Sequence, residues 1–257
     1  MTGGSAAPIG LVIIGASGRM GTNLLRLLPE YPSFRLHAAV AGPGSPALGR
    51  DSGEVAGMGP TGVPISFDLV SGLSAAGLAL DFSVASAATE HLEQCAAARI
   101  PLLLGTTGLG PEALRHVEVA ARRIPILVAP NTSLGASVLM DLVRRAAATL
   151  GAGYEVSIQD LHHRGKRDAP SGTALALGAA IQQATQARPR PVHHTSTREG
   201  DVVGQHEVQF AGHGEWLRLS HNATNRAIFA RGALRAGLWL VGQPPGRYEM
   251  ADIIEEK

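Results

Sequence analysis

Short apolar runs alternate with longer stretches of helical periodicity through the first half of the chain. Residues 9–14, 78–82, 101–104 and 125–129 are almost unbroken apolar runs, the pattern of strands buried on both faces, and residues 34–40 read as one more strand. Between them, residues 20–28, 87–99 and 111–123 are spaced as helices. This alternation predicts a parallel sheet covered by helices on both sides. Residues 42–62 interrupt it with a Gly- and Pro-rich loop, of a length usually reserved for functional or mobile segments.

The rhythm changes after Asn131. Residues 135–150 read as a strongly apolar helix, and residues 154–159 alternate Tyr154, Val156 and Ile158 with Glu155, Ser157 and Gln159, as a half-buried strand does. A second helix is expected from residue 171 to 184, ended by the Arg- and Pro-rich residues 188–191. Residues 205–210 and 215–221 read as consecutive strands turning at 212–214, and residues 233–241 as a last helix. The expectation is an α+β region with a mainly antiparallel sheet.

Composition narrows the function. With 257 residues, 45% of them apolar, the chain can bury a substantial core, and its net charge of +1 leaves no footprint for nucleic acid or an anionic membrane. Partners are expected to be small molecules and copies of the chain itself. The lone Cys95 cannot form an internal disulfide and rules out thiolate zinc sites, so no metal is expected. The opening apolar run is far shorter than the roughly 20 residues of a bilayer span, and no basic segment precedes it, so a cytoplasmic protein is expected.

The first chemical motif is GASGRMG, between the first expected strand and helix. Glycines there permit a tight turn, and a helix N-terminus presents backbone N–H groups to a phosphate. Gly15, Ala16, Ser17, Gly18, Arg19 and Met20 are therefore candidates for binding a dinucleotide on a Rossmann-like domain. An acidic residue ending the second strand would grip the ribose diol of NADH, but Ala41 and Gly42 stand there. No carboxylate would repel a 2′-phosphate and Arg19 could pair with one, which favours NADPH, with NADH also usable. Arg50 and Asp51, in the long loop, read as a solvated pair.

Two further loops follow buried strands, where open α/β sheets bind ligands: Gly105, Thr106 and Thr107 in GTTG, and Ala129, Pro130, Asn131 and Thr132. The densest polar cluster is HHRGKRDAPSGTA. His162, His163 and Lys166 suit acid–base chemistry or anion recognition, and Ser171, Gly172 and Thr173 open a helix whose N–H groups can receive a carboxylate. Adjacent strand residues face opposite ways, so His162 and His163 should do different work rather than share a metal. His193, His194, His206, His213 and His221 read as scattered surface or structural residues, and Cys95 as core.

These residues together resemble the dihydrodipicolinate reductases. The similarity spans nearly the whole chain: GASGRMG, GRDSGEVAG, DFS at Asp81, GTTG, APNTSLGAS, HHRGKRDAPSGTA, REGDVVGQHEV from Arg198 and RGALRAGLWL from Arg231. The resemblance implies NAD(P)H-dependent reduction of an unsaturated cyclic dicarboxylate to tetrahydrodipicolinate, with loss of water from a hydroxylated precursor, on the path to diaminopimelate and lysine. It implies His162 as proton donor or acceptor, Lys166 as proton donor, His163, Gly172 and Thr173 as substrate ligands, and residues 15–20, 105–107 and 129–132 as the cofactor site. It implies a dinucleotide-binding domain over 1–131 joined by 227–257, a substrate-binding and oligomerisation domain over 132–226, and a homotetramer. The family pattern often places an acidic residue and then an arginine after the second strand, from which Ala41 and Gly42 depart.

Overall fold

The computed structural model describes residues 7–185 and 191–255. The chain divides into two compact units, one running through Thr132 and resuming at Phe229, the other comprising Ser133–Ile228. The strands in chain order are β1 (Ile9–Ile14), β2 (Phe34–Val40), β3 (Ile65–Ser66), β4 (Leu78–Asp81), β5 (Leu102–Leu104), β6 (Pro125–Val128), β7 (Glu155–His162), β8 (Val192–Arg198), β9 (Gly204–Ala211), β10 (Trp216–Ala223) and β11 (Gly246–Tyr248). The α-helices are α1 (Arg19–Leu27), α2 (Ser52–Val55), α3 (Leu69–Leu73), α4 (Ala88–Ala98), α5 (Pro111–Ala120), α6 (Leu134–Leu150), α7 (Gly172–Ala184), α8 (Ala227–Leu240) and α9 (Asp252–Glu255).

The first unit is Rossmann-like. Its sheet runs β11-β6-β5-β4-β1-β2-β3, and every neighbouring pair is parallel. Leu11–Ile14, Leu78–Leu80 and Leu102–Leu104 are almost wholly buried, as strands covered on both faces must be. The strand order reverses beside β1, with β2 on one side and β4 on the other, and such a switch point opens a crevice at the carboxyl ends. Helix α8 returns to this sheet. At Gly237 a Cβ would fall 2.6 Å from Leu78 Cδ2 and 3.2 Å from Leu80 Cδ2, so only glycine lets the helix approach β4 this closely.

Residues 42–62 are more ordered than a bare loop. They carry α2, and the Asp51 carboxylate accepts from the backbone N–H groups of Gly53 (2.8 Å), Thr61 (3.0 Å) and Gly62 (2.8 Å). Asp51 is thus the tie of this segment rather than half of a solvated pair with Arg50, and these bonds, Thr61's foremost, hold its carboxyl below the usual range. The elements β3, α3 and β11 were absent from the sequence reading because two to five residues cannot display a period.

The second unit packs α6 and α7 on a four-stranded sheet ordered β10-β9-β7-β8. β9 is antiparallel to both β10 and β7, while β8 is parallel to β7. The sheet is therefore mainly antiparallel with one parallel edge, and the crossover through α7 explains that edge. Leu139 and Val143 of α6, Leu177 and Ile181 of α7, Val156, Ile158, Val208 and Phe210 form its core. β8 escaped the sequence reading because VHHTSTR holds a single apolar residue. The expected helix break at residues 188–191 lies largely outside the described residues.

Candidate active site

In the first unit the motif loops converge on the carboxyl edge of one sheet. β1 delivers Gly15, β5 delivers Gly105 and β6 delivers Ala129, each as the residue after the strand. Gly15 has φ +83°, and a Cβ there would lie 2.6 Å from the Phe82 carbonyl oxygen, so the turn requires glycine on both counts. The Phe82 ring lies against Gly105, where a Cβ would fall 2.1 Å from its Cε1. Ala16 is buried, Gly18 and Arg19 are exposed, and Met20 is half-buried in the first turn of α1. Ser17 is half-buried, and its hydroxyl lies 3.2 Å from that of Ser45. No side chain caps α1, so its leading N–H groups carry the helix dipole toward this edge.

Asp81, at the end of β4, organises the neighbouring turns. It is fully buried, accepts from Ser83 N–H (2.8 Å) and from Thr106 Oγ1 (3.4 Å), and pairs with His91 Nδ1 at 2.8 Å. Thr106 thereby serves the loop's shape, while Thr107 is exposed. Thr132 is likewise committed: buried, it donates from Oγ1 to the Phe229 carbonyl at 2.6 Å, tying the two segments of the unit together. Pro130 is exposed and Asn131 half-buried.

In the second unit polar residues stand on the strands themselves. The buried face of β7 reads Val156, Ile158, Asp160, His162, so the apolar alternation turns ionisable at its carboxyl end. Register extends this row to His206 of β9, opposite Asp160, and to His221 of β10, opposite His206. β7 continues past the expected residue 159, which makes His162 a strand residue with fixed direction. His206, read from sequence as scattered, is 5% exposed and meets His162 edge to face at 5.1 Å. His221 is half-buried with Nε2 3.4 Å from Ser133 Oγ, whereas His193, His194 and His213 are exposed.

Asp160 is the hub. Its Oδ1 accepts from Arg198 Nη1 at 2.7 Å and pairs with His162 Nδ1 at 3.0 Å, and its Oδ2 accepts from Ser171 N–H at 2.8 Å and Ser196 Oγ at 2.9 Å. Burial would raise its pKa, but these donors outweigh it and hold the carboxyl at about 2. A carboxylate on Nδ1 assigns the proton to that nitrogen and leaves Nε2 of His162 for exchange. Burial lowers the imidazole's pKa, the Asp160 bond opposes it, and the charges of Lys166 and Arg198 lower it further. Burial first, and then His162, depress His206 to about 4, so it stays neutral.

Beyond β7, Lys166 Nζ pairs with Asp168 Oδ2 at 2.8 Å. His163 is half-buried, with its backbone N–H donating to the Val202 carbonyl. Ser171 caps α7, accepting from Ala174 N–H at 3.2 Å, and its hydroxyl lies 3.1 Å from His206 Nε2. Gly172 and Thr173 form the exposed and half-buried start of that helix. His162, Lys166 and the α7 N-terminus thus belong to one bonded network, and Asp160, Ser196, Arg198 and His206 complete it. Sequence reading missed these last four; an aspartate at a buried position of an alternating strand was the available signal. A cleft of about 170 Å³ opens at the same sheet, lined by Asp160 together with residues including Gln159, Thr195 and Glu207.

Among the described residues no group of three or more His, Cys, Asp or Glu is placed to hold a metal, and no helix is long and apolar enough to cross a membrane. Family models for the N-terminus and the C-terminus of dihydrodipicolinate reductase match residues 9–132 and 135–254. The 4-hydroxy-tetrahydrodipicolinate reductase of Anaeromyxobacter dehalogenans (strain 2CP-1) is 44% identical, covering 95% of this chain and 97% of the relative. That of Anaeromyxobacter sp. (strain Fw109-5) is 43% identical over 96% and 97%. A solved structure, dipicolinate-bound dihydrodipicolinate reductase from Paenisporosarcina sp. TG-14, has the same fold, with TM-score 0.78 at 23% identity over 94% of this chain and 97% of that one. With both halves matched and relatives aligned end to end, the chain belongs to the dihydrodipicolinate reductase family.

Proposed function

We propose that the second unit supplies the acid and the substrate grip, and the first unit the nicotinamide cofactor, for reduction of 4-hydroxy-tetrahydrodipicolinate, by way of dihydrodipicolinate, to tetrahydrodipicolinate in diaminopimelate and lysine biosynthesis. The observation that carries this reading is His162, held by Asp160 within the network that also anchors the start of α7. The turn at Gly15 and the uncapped α1 fit a dinucleotide's pyrophosphate, because both present backbone rather than side chain. When bound, the reduced nicotinamide supplies a hydride.

Hydride addition to a carbon conjugated with an imine builds negative charge on the substrate, which a nearby acid must quench. His162 gives that proton from Nε2. Burial, foremost, makes the imidazole a weaker base than a free histidine, and a doubly anionic substrate offsets this by favouring the charged form. Proton uptake by His162 is then tied to substrate binding. Lys166 is the second proton donor and complements the developing charge, while His163, Gly172 and Thr173 hold the carboxylates.

The cofactor preference we propose is NADPH, with NADH accepted. No carboxylate stands at Ala41 or Gly42, where β2 ends, and Arg19 is exposed at the start of α1. Residues 15–20, 105–107 and 129–132 form this site, with Thr106 and Thr132 acting through their backbone and fold rather than their hydroxyls. For assembly we propose a homotetramer built on the sheet of the second unit, supported by exposed Trp216 with Arg218 stacked 4.6 Å over its ring. The test of the reaction is oxidation of NADPH by purified protein when the product of the preceding synthase is present and none when it is absent; equal oxidation without that substrate would end the proposal.

A further inference from the structure

One carboxylate that belongs to no motif gathers the working parts of the second unit. Asp160 is 2% exposed, and its four donors come from separate places: His162 from its own strand, Ser196 and Arg198 from β8, and the backbone of Ser171 from the start of α7. Parallel pairing places Ser196 opposite Asp160 and Arg198 opposite His162, so β8 meets the carboxylate from one side. Arg198 also donates from Nη2 to the Asp168 carbonyl, and Asp168 holds Lys166.

We infer that Asp160 is a positioning residue for the reaction, fixing the tautomer of His162 and the first turn of α7 in a single frame. The inference rests on the proposed role of His162 as acid. It goes further in assigning the frame to one side chain and in giving β8 a purpose in the chemistry. An asparagine could not substitute. Its amide offers one acceptor oxygen, so whichever way it turned, an NH2 group would confront either His162 and Arg198 or Ser171 and Ser196. Removing the charge also removes the influence of the protein's own that favours protonated His162. Arg198 from β8, His206 from β9 and Lys166 from the following loop face it as cations or as a neutral ring.

Three measurements test this. In the wild-type protein, nitrogen NMR of neutral His162 should show the proton on Nδ1; a proton on Nε2 overturns the inference without any variant. Asp160→Asn should lower kcat by about a hundredfold. It should also move the falling limb of the pH–rate profile and the NMR titration of His162 to lower pH, while Asp160→Glu restores most of the rate. NADPH affinity should stay within about threefold in both variants. A wild-type profile and titration in Asp160→Asn would sink the proposal, as would a kcat loss with no change in the titration. His162→Ala separates the two readings: near-normal turnover there, with the His162 titration still displaced in Asp160→Asn, would remove the acid assignment and leave the frame standing.

Discussion

The two sheets place their polar groups in opposite ways. In the parallel sheet of the first unit, β1, β4 and β5 are apolar until they end, and the groups for a ligand lie in the loops just beyond, presented largely as backbone. In the mixed sheet of the second unit, Asp160, His162, Ser196, Arg198 and His206 stand on the strands, and they meet through register across β7, β8 and β9. A backbone site depends on which residues have no side chain, and a register site on which side chains are present. The first should tolerate loss of its exposed polar side chains and fail when Gly15 is replaced; the second should fail when its polar side chains are lost.

The largest effect expected from this contrast is in turnover. His162→Ala and Lys166→Ala should each cost about a hundredfold or more in kcat, as removal of a general acid does. Ser17→Ala and Thr107→Ala in the first unit should stay within about fivefold. Steady-state kinetics on the four variants would break the contrast if the two pairs lost comparable rates. Next is Gly15→Ala, where a methyl group would meet the Phe82 carbonyl at 2.6 Å in a left-handed backbone. Strain of this kind costs about 1–3 kcal/mol, and NADPH affinity should fall at least tenfold in a binding titration.

A third effect is on stability. The folded pKa of His206 is about 4, below the 6.5 of an unperturbed histidine. The unfolded chain therefore binds the additional proton between those values, and stability rises with pH across that window and is level above it. The contribution amounts to at most about 3 kcal/mol by linkage, and His162 and His221, also lowered, add with the same sign. Denaturant unfolding from pH 4 to 7 should show this slope, reduced in His206→Gln; a slope unchanged in that variant would remove His206 from the account. The smallest effect belongs to Arg19→Ala, which should lower the preference for NADPH over NADH by roughly threefold to tenfold, as befits an exposed cation meeting a phosphate.

The same contrast explains what could be read from the chain. The Rossmann-like unit was legible because buried parallel strands are continuous apolar words, and GASGRMG and GTTG sit at their ends. The HHRGKRDAPSGT run likewise marked His162, Lys166 and the start of α7, since those residues are neighbours in sequence. Asp160 stayed hidden two residues upstream, because what makes it matter is a partner 38 residues away, Arg198, on a strand with no hydrophobic signature. His206 hid for the same reason. Pairing across a sheet is a non-local property, and no local pattern encodes which histidine will lie opposite which aspartate.

The late return of α8 to β4 bears on how the molecule is made. Leu78 and Leu80 are fully buried, and Gly237 is the point where the helix closes on them. On a ribosome these leucines are synthesised some 150 residues before their cover. Domains tend to mature in the order they emerge, yet here the first unit waits for a segment made after the whole of the second. A nascent chain stalled before Phe229 would display a sticky, unfinished sheet to chaperones, and would gain resistance to proteases only once the closing segment had left the exit tunnel.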